Sequence, residues 1–249
     1  MTELHQRTYK IVMDECELQK FIDWLPELQS HETFYCCLFA RSKYAKGLVD
    51  LPHIRSDKAQ LKRFTATKAN LLSKIKQLEV PFGSYHQKEI KVPQEALALY
   101  ITINPRNMKL AAARSAKKLI DLITQDYNGY NPHQEVMSEI QRAKTKSQFV
   151  SFDFDMDKHE ANGASAKLIW LAQEISQFLN DESFNIIETR GGAHVVVRTA
   201  LIPEDLKKSW YHKMAILLQQ NSDDNNNKGD IMLPVPGTYQ GGFSPYFFK

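Results

Sequence analysis

Phe149-Val150-Ser151-Phe152-Asp153-Phe154-Asp155-Met156-Asp157 is the stretch on which the reading of this chain turns. Side chains alternate across a β-strand, so Asp153, Asp155 and Asp157 fall on one face while Phe152, Phe154 and Met156 fall on the other. The phenylalanine face calls for a core. The aspartate face is unusual, because Asp is depleted in strands and aligned carboxylates repel one another. A hard divalent cation such as Mg2+ or Mn2+ relieves that repulsion and takes oxygen ligands. The competing explanation is a polar face that simply meets solvent. Asp153 and Asp155 are the firmer candidate ligands, since Asp157 falls at or beyond the strand end.

Downstream, Ile186-Ile-Glu-Thr-Arg-Gly-Gly-Ala-His-Val-Val-Val197 carries a glycine pair between two apolar strands. Gly191 and Gly192 let backbone approach a ligand, and successive N–H groups there can face an anion. Thr189 adds a hydroxyl donor, Arg190 a bidentate phosphate fork and His194 a third donor. The alternative is a β-hairpin with a Gly-Gly turn and a core histidine on its second strand. Further on, Asp230 follows Gly229 and opens the apolar run Ile231-Met-Leu-Pro-Val235. It is a candidate third metal ligand or a turn residue. The segment Pro234–Phe243, dense in glycine, proline and hydroxyl or amide side chains, is a candidate lining for a nucleotide or template channel, or a cover over a sheet edge.

Working outward, hydrophobic periodicity predicts helices over Glu17–Leu28, Asp57–Leu78, Met108–Thr124 and Ser165–Leu179, with another running to Ala143. Leu61, Phe64, Leu71, Leu72, Ile75 and Leu78 carry the second, and its other face bears Lys58, Lys62, Arg63, Lys68, Lys74 and Lys76. That face is solvated or, with Arg114–Lys118, contacts nucleic acid. Pro203 suits the first turn of one more helix. Strands are predicted over Thr33–Ala40, Ala98–Ile103, Gln148–Phe154, Phe184–Glu188, His194–Arg198 and, last, Asp230–Val235. Asp126–His133 and Asn221–Gly229 read as turn-rich or polar loops.

Composition bounds the reading. With 32 Lys+Arg against 29 Asp+Glu in 249 residues, the formal net charge of +3 supplies no overwhelming basic field. The three cysteines form no pairing framework, and the absence of a CxxC pair argues against a zinc ribbon. Adjacent Cys36 and Cys37 lie in an apolar run and read as core thiols. There is no secretory signal and no apolar stretch near membrane-spanning length. A reducing, cytoplasmic setting with no membrane partner is expected.

The order of motifs resembles the archaeo-eukaryotic primase superfamily, primase–polymerases included: Asp153-Phe-Asp155 on a strand, Thr189-Arg-Gly-Gly-Ala-His194 at a turn, then strand-borne Asp230. Tyr100-Ile-Thr-Ile-Asn-Pro-Arg106 is similar to a strand-to-loop element upstream in some plasmid and phage members. The resemblance runs from Tyr100 to the C-terminus and does not reach Met1–Lys91. It implies an α+β fold: a primase–polymerase-like catalytic core over 96–249, with a mixed or antiparallel sheet flanked by helices, and an N-terminal α/β region over 1–95. It also implies a nucleotidyltransferase that adds nucleotides from NTP or dNTP on a nucleic-acid template, single-stranded DNA above all. On that footing Asp153, Asp155 and Asp230 hold two Mg2+ or Mn2+ ions. Thr189, Arg190 and His194, with Gly191 and Gly192, bind the triphosphate, and Arg106 contacts nucleotide or template. Departures are Thr189 where family members often carry serine, and a third motif close to the last residue. No zinc-binding or helical accessory module is visible, nor a phosphate-loop helicase motif, so unwinding would fall to a separate helicase. Two rival readings remain: a metal-dependent nuclease or phosphohydrolase with water as nucleophile, and a non-catalytic nucleic-acid-binding protein.

Overall fold

Glu32-Thr-Phe-Tyr-Cys-Cys-Leu-Phe-Ala-Arg41 is apolar with hardly a break, as a strand covered on both faces must be. In the computed structural model, which describes residues 8–47, 58–124, 131–156, 163–221 and 228–249, this is strand β1 (Glu32–Arg41). Helix α1 (Glu15–Trp24) precedes it, capped by Asp14, whose carboxylate accepts from the Glu17 N–H. After β1 come β2 (Lys58–Ala66), α2 (Lys68–Lys76), the small hairpin β3 (His86–Gln87) and β4 (Ile90–Lys91), then β5 (Leu97–Thr102) and β6 (Arg106–Asn107). Helices α3 (Met108–Thr124) and α4 (Pro132–Arg142) lead into β7 (Phe149–Asp155). The chain continues through α5 (Gly163–Ser176), β8 (Phe184–Thr189), β9 (Gly192–Arg198) and α6 (Trp210–Asn221) to β10 (Lys228–Gly229), β11 (Met232–Pro234) and β12 (Tyr246–Phe247). Asp157, residues 126–130 of the turn-rich segment and residues 222–227 of the polar loop lie outside the described residues.

The fold is α+β, with antiparallel pairing throughout two five-stranded sheets. The first has the order β11-β5-β1-β2, with β6 pairing the start of β1; the second has the order β10-β7-β9-β8-β12. The first sheet takes β1 and β2 from before residue 95 and β5 and β11 from after it, so the N-terminal region shares a sheet with the remainder of the chain. One face of β1 (Phe34, Cys36, Leu38) packs in a core with Leu99, Ile101 and residues of α1 and α2. The other (Tyr35, Cys37, Phe39) packs with Ala98, Tyr100 and residues of α3 and α4. In the second sheet, Phe152 and Phe154 are fully buried against Leu168, Leu171 and Ile175 of α5 and Met214 and Leu218 of α6. Each such ring contributes roughly 1.5–3 kcal/mol.

Three sequence expectations need correction. The helix expected over Asp57–Leu78 is a strand, β2, followed by a helix, α2. Leu61 and Phe64 recur at helical spacing, but a bulge opposite Leu38/Phe39 shifts the strand's parity, so both pack on the same core. Thr67 ends the strand and starts α2 in a reciprocal capping box with Asn70. Pro203 leads only into a single 3-10 turn, Glu204–Leu206, and α6 starts at Trp210. The strand expected over Asp230–Val235 is present but shorter, β11 (Met232–Pro234) in the first sheet; it is preceded by β10, which pairs in the second sheet, and it is not the last, since β12 follows it. Among the described residues no helix is long and apolar enough to cross a membrane.

Both cysteines of β1 are fully buried, whereas Cys16 is exposed. Burial pushes the Cys37 thiol up to about 12 and drives Cys36 higher still. An unfolded chain would ionise these thiols near 9.0, so their contribution to stability is intact below that pH and is lost as pH climbs toward 12. Because the thiolate is the nucleophile, iodoacetamide at pH 8 should label Cys16 alone in the native protein and all three cysteines after denaturation. Rapid native labelling of Cys36 or Cys37, read by mass spectrometry, would contradict this packing.

Candidate functional site

The alternation in β7 carries through to the site. Phe149, Ser151, Asp153 and Asp155 share the face opposite Phe152 and Phe154, and β9 sets His194 directly across from Asp153 and Gly192 across from Asp155. On the other side of β9, β8 sets Ile187 across from His194 and Thr189 across from Gly192. Near the Phe149 end this face is closed, because Phe149, Ile187 and Val196 join the main core. Toward the Asp155 end it opens into a cleft of about 1110 Å3. Asp153, Asp155, Thr189, Gly191, His194 and Asp230 all line it.

His194 is 5% exposed and lies between two polar side chains. Its Nε2 is 3.4 Å from Asp153 Oδ1 and its Nδ1 is 3.5 Å from Ser151 Oγ. These contacts are long for hydrogen bonds, so the ring is oriented rather than tightly held.

Asp230 reaches the cleft by a crossing. Gly229 pairs with Ser151 of β7 in the second sheet, and Met232 pairs with Thr102 of β5 in the first. Between them, Asp230 Oδ2 accepts from Arg106 Nη1 at 2.7 Å and Oδ1 accepts from Asn104 Nδ2 at 2.8 Å. Asn104 is fully buried and works in both directions. Its Nδ2 also donates to the Phe149 carbonyl, and its Oδ1 accepts from the N–H groups of Gln148 and Phe149. The Asn104-Pro-Arg106 segment therefore ties the third carboxylate to the start of the acidic strand.

Three of the residues singled out from the sequence do not line the cleft. Arg106 is 3% exposed and committed to Asp230. Arg190 stacks behind a lining residue, its guanidinium 4.4 Å from the centroid of the Tyr44 ring. Gly192 is required by strand packing: a Cβ there would lie 1.9 Å from the Phe154 carbonyl oxygen. Gly191 does line the cleft, and a Cβ there would meet only Asp155 Oδ1 at 3.8 Å. The basic residues Lys68, Lys74 and Lys76 are engaged within the fold, by Glu27 and the carbonyls of Asp23 and Leu25, by the Thr65 carbonyl, and by Glu15 respectively.

Tyr100 of β5 and Gln240 of the C-terminal segment also line the cleft, each from a segment noted in the sequence. Arg41, Lys43, Tyr44 and Lys46, from β1 and the turn after it, line it without having belonged to any sequence motif. Their only signal was a Ser42-Lys-Tyr-Ala-Lys46 run closing an apolar strand. Arg41 Nη1 donates to Tyr100 Oη at 2.5 Å, and burial raises the Tyr100 phenol well above its ordinary range. Gln240 places its segment at the cleft, whereas Gly237 in the same segment packs on α1 and its cap: a Cβ there would lie 2.4 Å from the Asp14 carbonyl oxygen.

No family model, curated protein or solved structure matches this chain.

Among the described residues no group of three or more His, Cys, Asp or Glu side chains forms a ready-made metal cluster. The donor chemistry nonetheless fits a hard cation at Asp153 and Asp155, which put carboxylates on one face of an open cleft. Asp230 adds capacity, since a carboxylate offers about four acceptor sites and Asn104 and Arg106 occupy two.

The Arg106–Asp230 pair yields a stability prediction. Asp230→Ala leaves a nearly buried guanidinium without its counter-ion and should cost about 3 kcal/mol. Asp153, with a 24% exposed side chain and, among the described residues, a long contact to His194, should cost under about 1 kcal/mol as Asp153→Ala. Urea midpoints measure both, and equal shifts would remove the structural role assigned to Asp230.

Proposed function

We propose that this protein is a metal-dependent nucleotidyltransferase of the primase–polymerase type, acting on nucleoside triphosphates with a nucleic-acid template. The observation that carries this reading is the meeting of Asp153 and Asp155 of β7, His194 of β9 and the distant Asp230 at one cleft. That is the order of motifs on which the resemblance to archaeo-eukaryotic primases rests. Asp153 and Asp155 side by side on one strand face suit a cation-assisted reaction on phosphate better than a purely binding role, in which clustered carboxylates would gain nothing.

Asp153 and Asp155 would hold Mg2+ or Mn2+, with Asp230 adding its remaining acceptor sites. When bound, such ions activate a 3′-hydroxyl and neutralise charge on the triphosphate and the departing pyrophosphate. The chain's own residues do the orienting. Arg106 and Asn104 hold Asp230 at the cleft, as partners outside the ligand set do in metal sites generally. Asp153 and Ser151 bracket the two ring nitrogens of His194, so the imidazole would meet a phosphate oxygen through Nε2 once Asp153 turns to a cation. The Thr189 hydroxyl and the Gly191 backbone flank the same position, so that donors are in place before the charge develops.

The double substitution Asp153→Asn/Asp155→Asn tests this. It should lower Mn2+- or Mg2+-dependent incorporation of labelled nucleotides on single-stranded or primed templates by at least about a hundredfold. It should also remove the increase in melting temperature that Mn2+ gives the parent protein, while leaving the far-ultraviolet circular dichroism unchanged. Incorporation at the parent level in the variant defeats the proposal. Cleavage products in place of chain growth and pyrophosphate would transfer the site to the phosphohydrolase class.

A further inference from the structure

The two sheets give the cleft opposite charges. Asp153 and Asp155 come from the second sheet, whereas Arg41, Lys43 and Lys46 come from the end of β1 in the first and from the turn that follows. Arg41 is 7% exposed and tied to Tyr100, while Lys43 and Lys46 are exposed.

Within that turn Tyr44 is clamped. Arg190 stacks at 4.4 Å from its ring centroid and Arg41 lies at 5.2 Å. Gln240 links the two clamping elements: its Nε2 donates to Tyr44 Oη at 3.2 Å, and its Oε1 accepts from the Arg190 N–H at 2.9 Å. The neighbouring Gly241 makes room for the stack. At φ +58, a Cβ there would lie 2.3 Å from Arg190 Nη1 and 2.6 Å from the Tyr44 ring. Among the described residues Arg190 Nη1 is buried with no hydrogen-bond partner. That arrangement is expensive for a guanidinium unless contact with an aromatic face compensates, and it suits an arginine whose task is to fix a ring.

We propose that the Arg41–Lys46 turn is the polyphosphate-binding wall of the cleft, and that Arg190 is a positioning residue that holds this wall in place through Tyr44. The assignment of a nucleoside triphosphate as ligand rests on the nucleotidyl-transfer reading. A polyphosphate carries more than one charge per phosphorus in a short chain, which matches cations gathered on one short turn beside carboxylates that take metal. A diester strand spreads single charges along its length and matches this arrangement less well.

The probes are inorganic tripolyphosphate, Mn2+ alone and a single-stranded oligonucleotide, each titrated into the full chain at one ionic strength, because exposed charges are screened by salt. Lys43→Ala/Lys46→Ala should weaken tripolyphosphate binding about tenfold or more and leave Mn2+ affinity unchanged. Gly241→Ala and Tyr44→Ala should weaken it in the same direction without touching a cleft cation. Tyr44→Phe, which keeps the stacked ring, should restore near-parent affinity. A purely structural role for Tyr44 would lower the melting temperature and leave tripolyphosphate affinity intact, and that result overturns the positioning role. Unchanged tripolyphosphate affinity in the double lysine variant, no tripolyphosphate binding by the parent protein, or loss confined to the oligonucleotide overturns the wall itself. If the parent protein binds tripolyphosphate through these lysines yet takes up no Mn2+, the wall stands and the nucleotidyl-transfer reading falls.

Discussion

The segment from Lys228 to Pro234 belongs to both sheets, and the site depends on how that crossing is pinned. Gly229 is the last residue paired to β7, Met232 the first paired to β5, and Asp230 between them is held by Asn104 and Arg106. Without those partners a carboxylate at this junction would be drawn toward solvent, and the registration of the acidic strand against the first sheet would lose its polar link. Asn104 contributes more than its single contact with Asp230 suggests, because it also satisfies the backbone of Gln148 and Phe149 at the start of β7. A buried amide with all of these groups engaged specifies geometry in a way that apolar packing does not. The same residues thus set the relation of the two sheets and the position of a candidate ligand.

Much of the secondary structure was legible because local pattern and tertiary need agree. The boundaries of α3 match the expected ones, and β1, β5, β7, β8 and β9 lie within a few residues of the apolar runs that announced them. The failures have identifiable causes. A single bulge in β2 gave Leu61 and Phe64 a helical spacing that periodicity alone cannot distinguish from a true helix. Pro203 fits a first helical turn, but the turn it opens does not propagate. The Asp230–Val235 run is strand only over Met232–Pro234, because Asp230 sits at the junction where the chain leaves the second sheet for the first, and hydrophobicity does not report which sheet supplies the burial.

The site was legible to a smaller degree and for a different reason. Carboxylates on a phenylalanine-backed strand are conspicuous because both their face and their repulsion follow from sequence, and Asp153 and Asp155 do line the cleft. Arg190 and the glycine pair were conspicuous as residue types, yet type does not reveal direction. Arg190 points to Tyr44, and Gly192 is glycine because the Phe154 carbonyl leaves no room for a Cβ. The cations of the first sheet left only a faint mark in the sequence, a short basic run closing an apolar strand. They stand more than a hundred positions before the acidic motif, in a segment whose charge pattern is ordinary, and only the antiparallel sheet that joins β1, β5 and β11 brings them to the same opening.

That topology bears on what the cleft can accept. A wall of carboxylates alone repels phosphates, and a wall of lysines and arginine alone attracts any anion. Set together at one opening, on the proposed reading they favour a ligand that brings cations to one side and concentrated negative charge to the other over a bare anion or a bare cation, each of which still meets half of the field. Selectivity of this kind needs no shape complementarity to a base or sugar. It does need the two walls to be held in register, because each favourable contact with the ligand is offset if it drags a like charge closer. The buried hydrogen bonds of Asn104 and Arg106 on the acidic side and the Arg190–Tyr44–Gln240 clamp on the basic side supply that register from separate parts of the chain. The polar groups spent behind the cleft are therefore as much a part of its chemistry as the charges that line it.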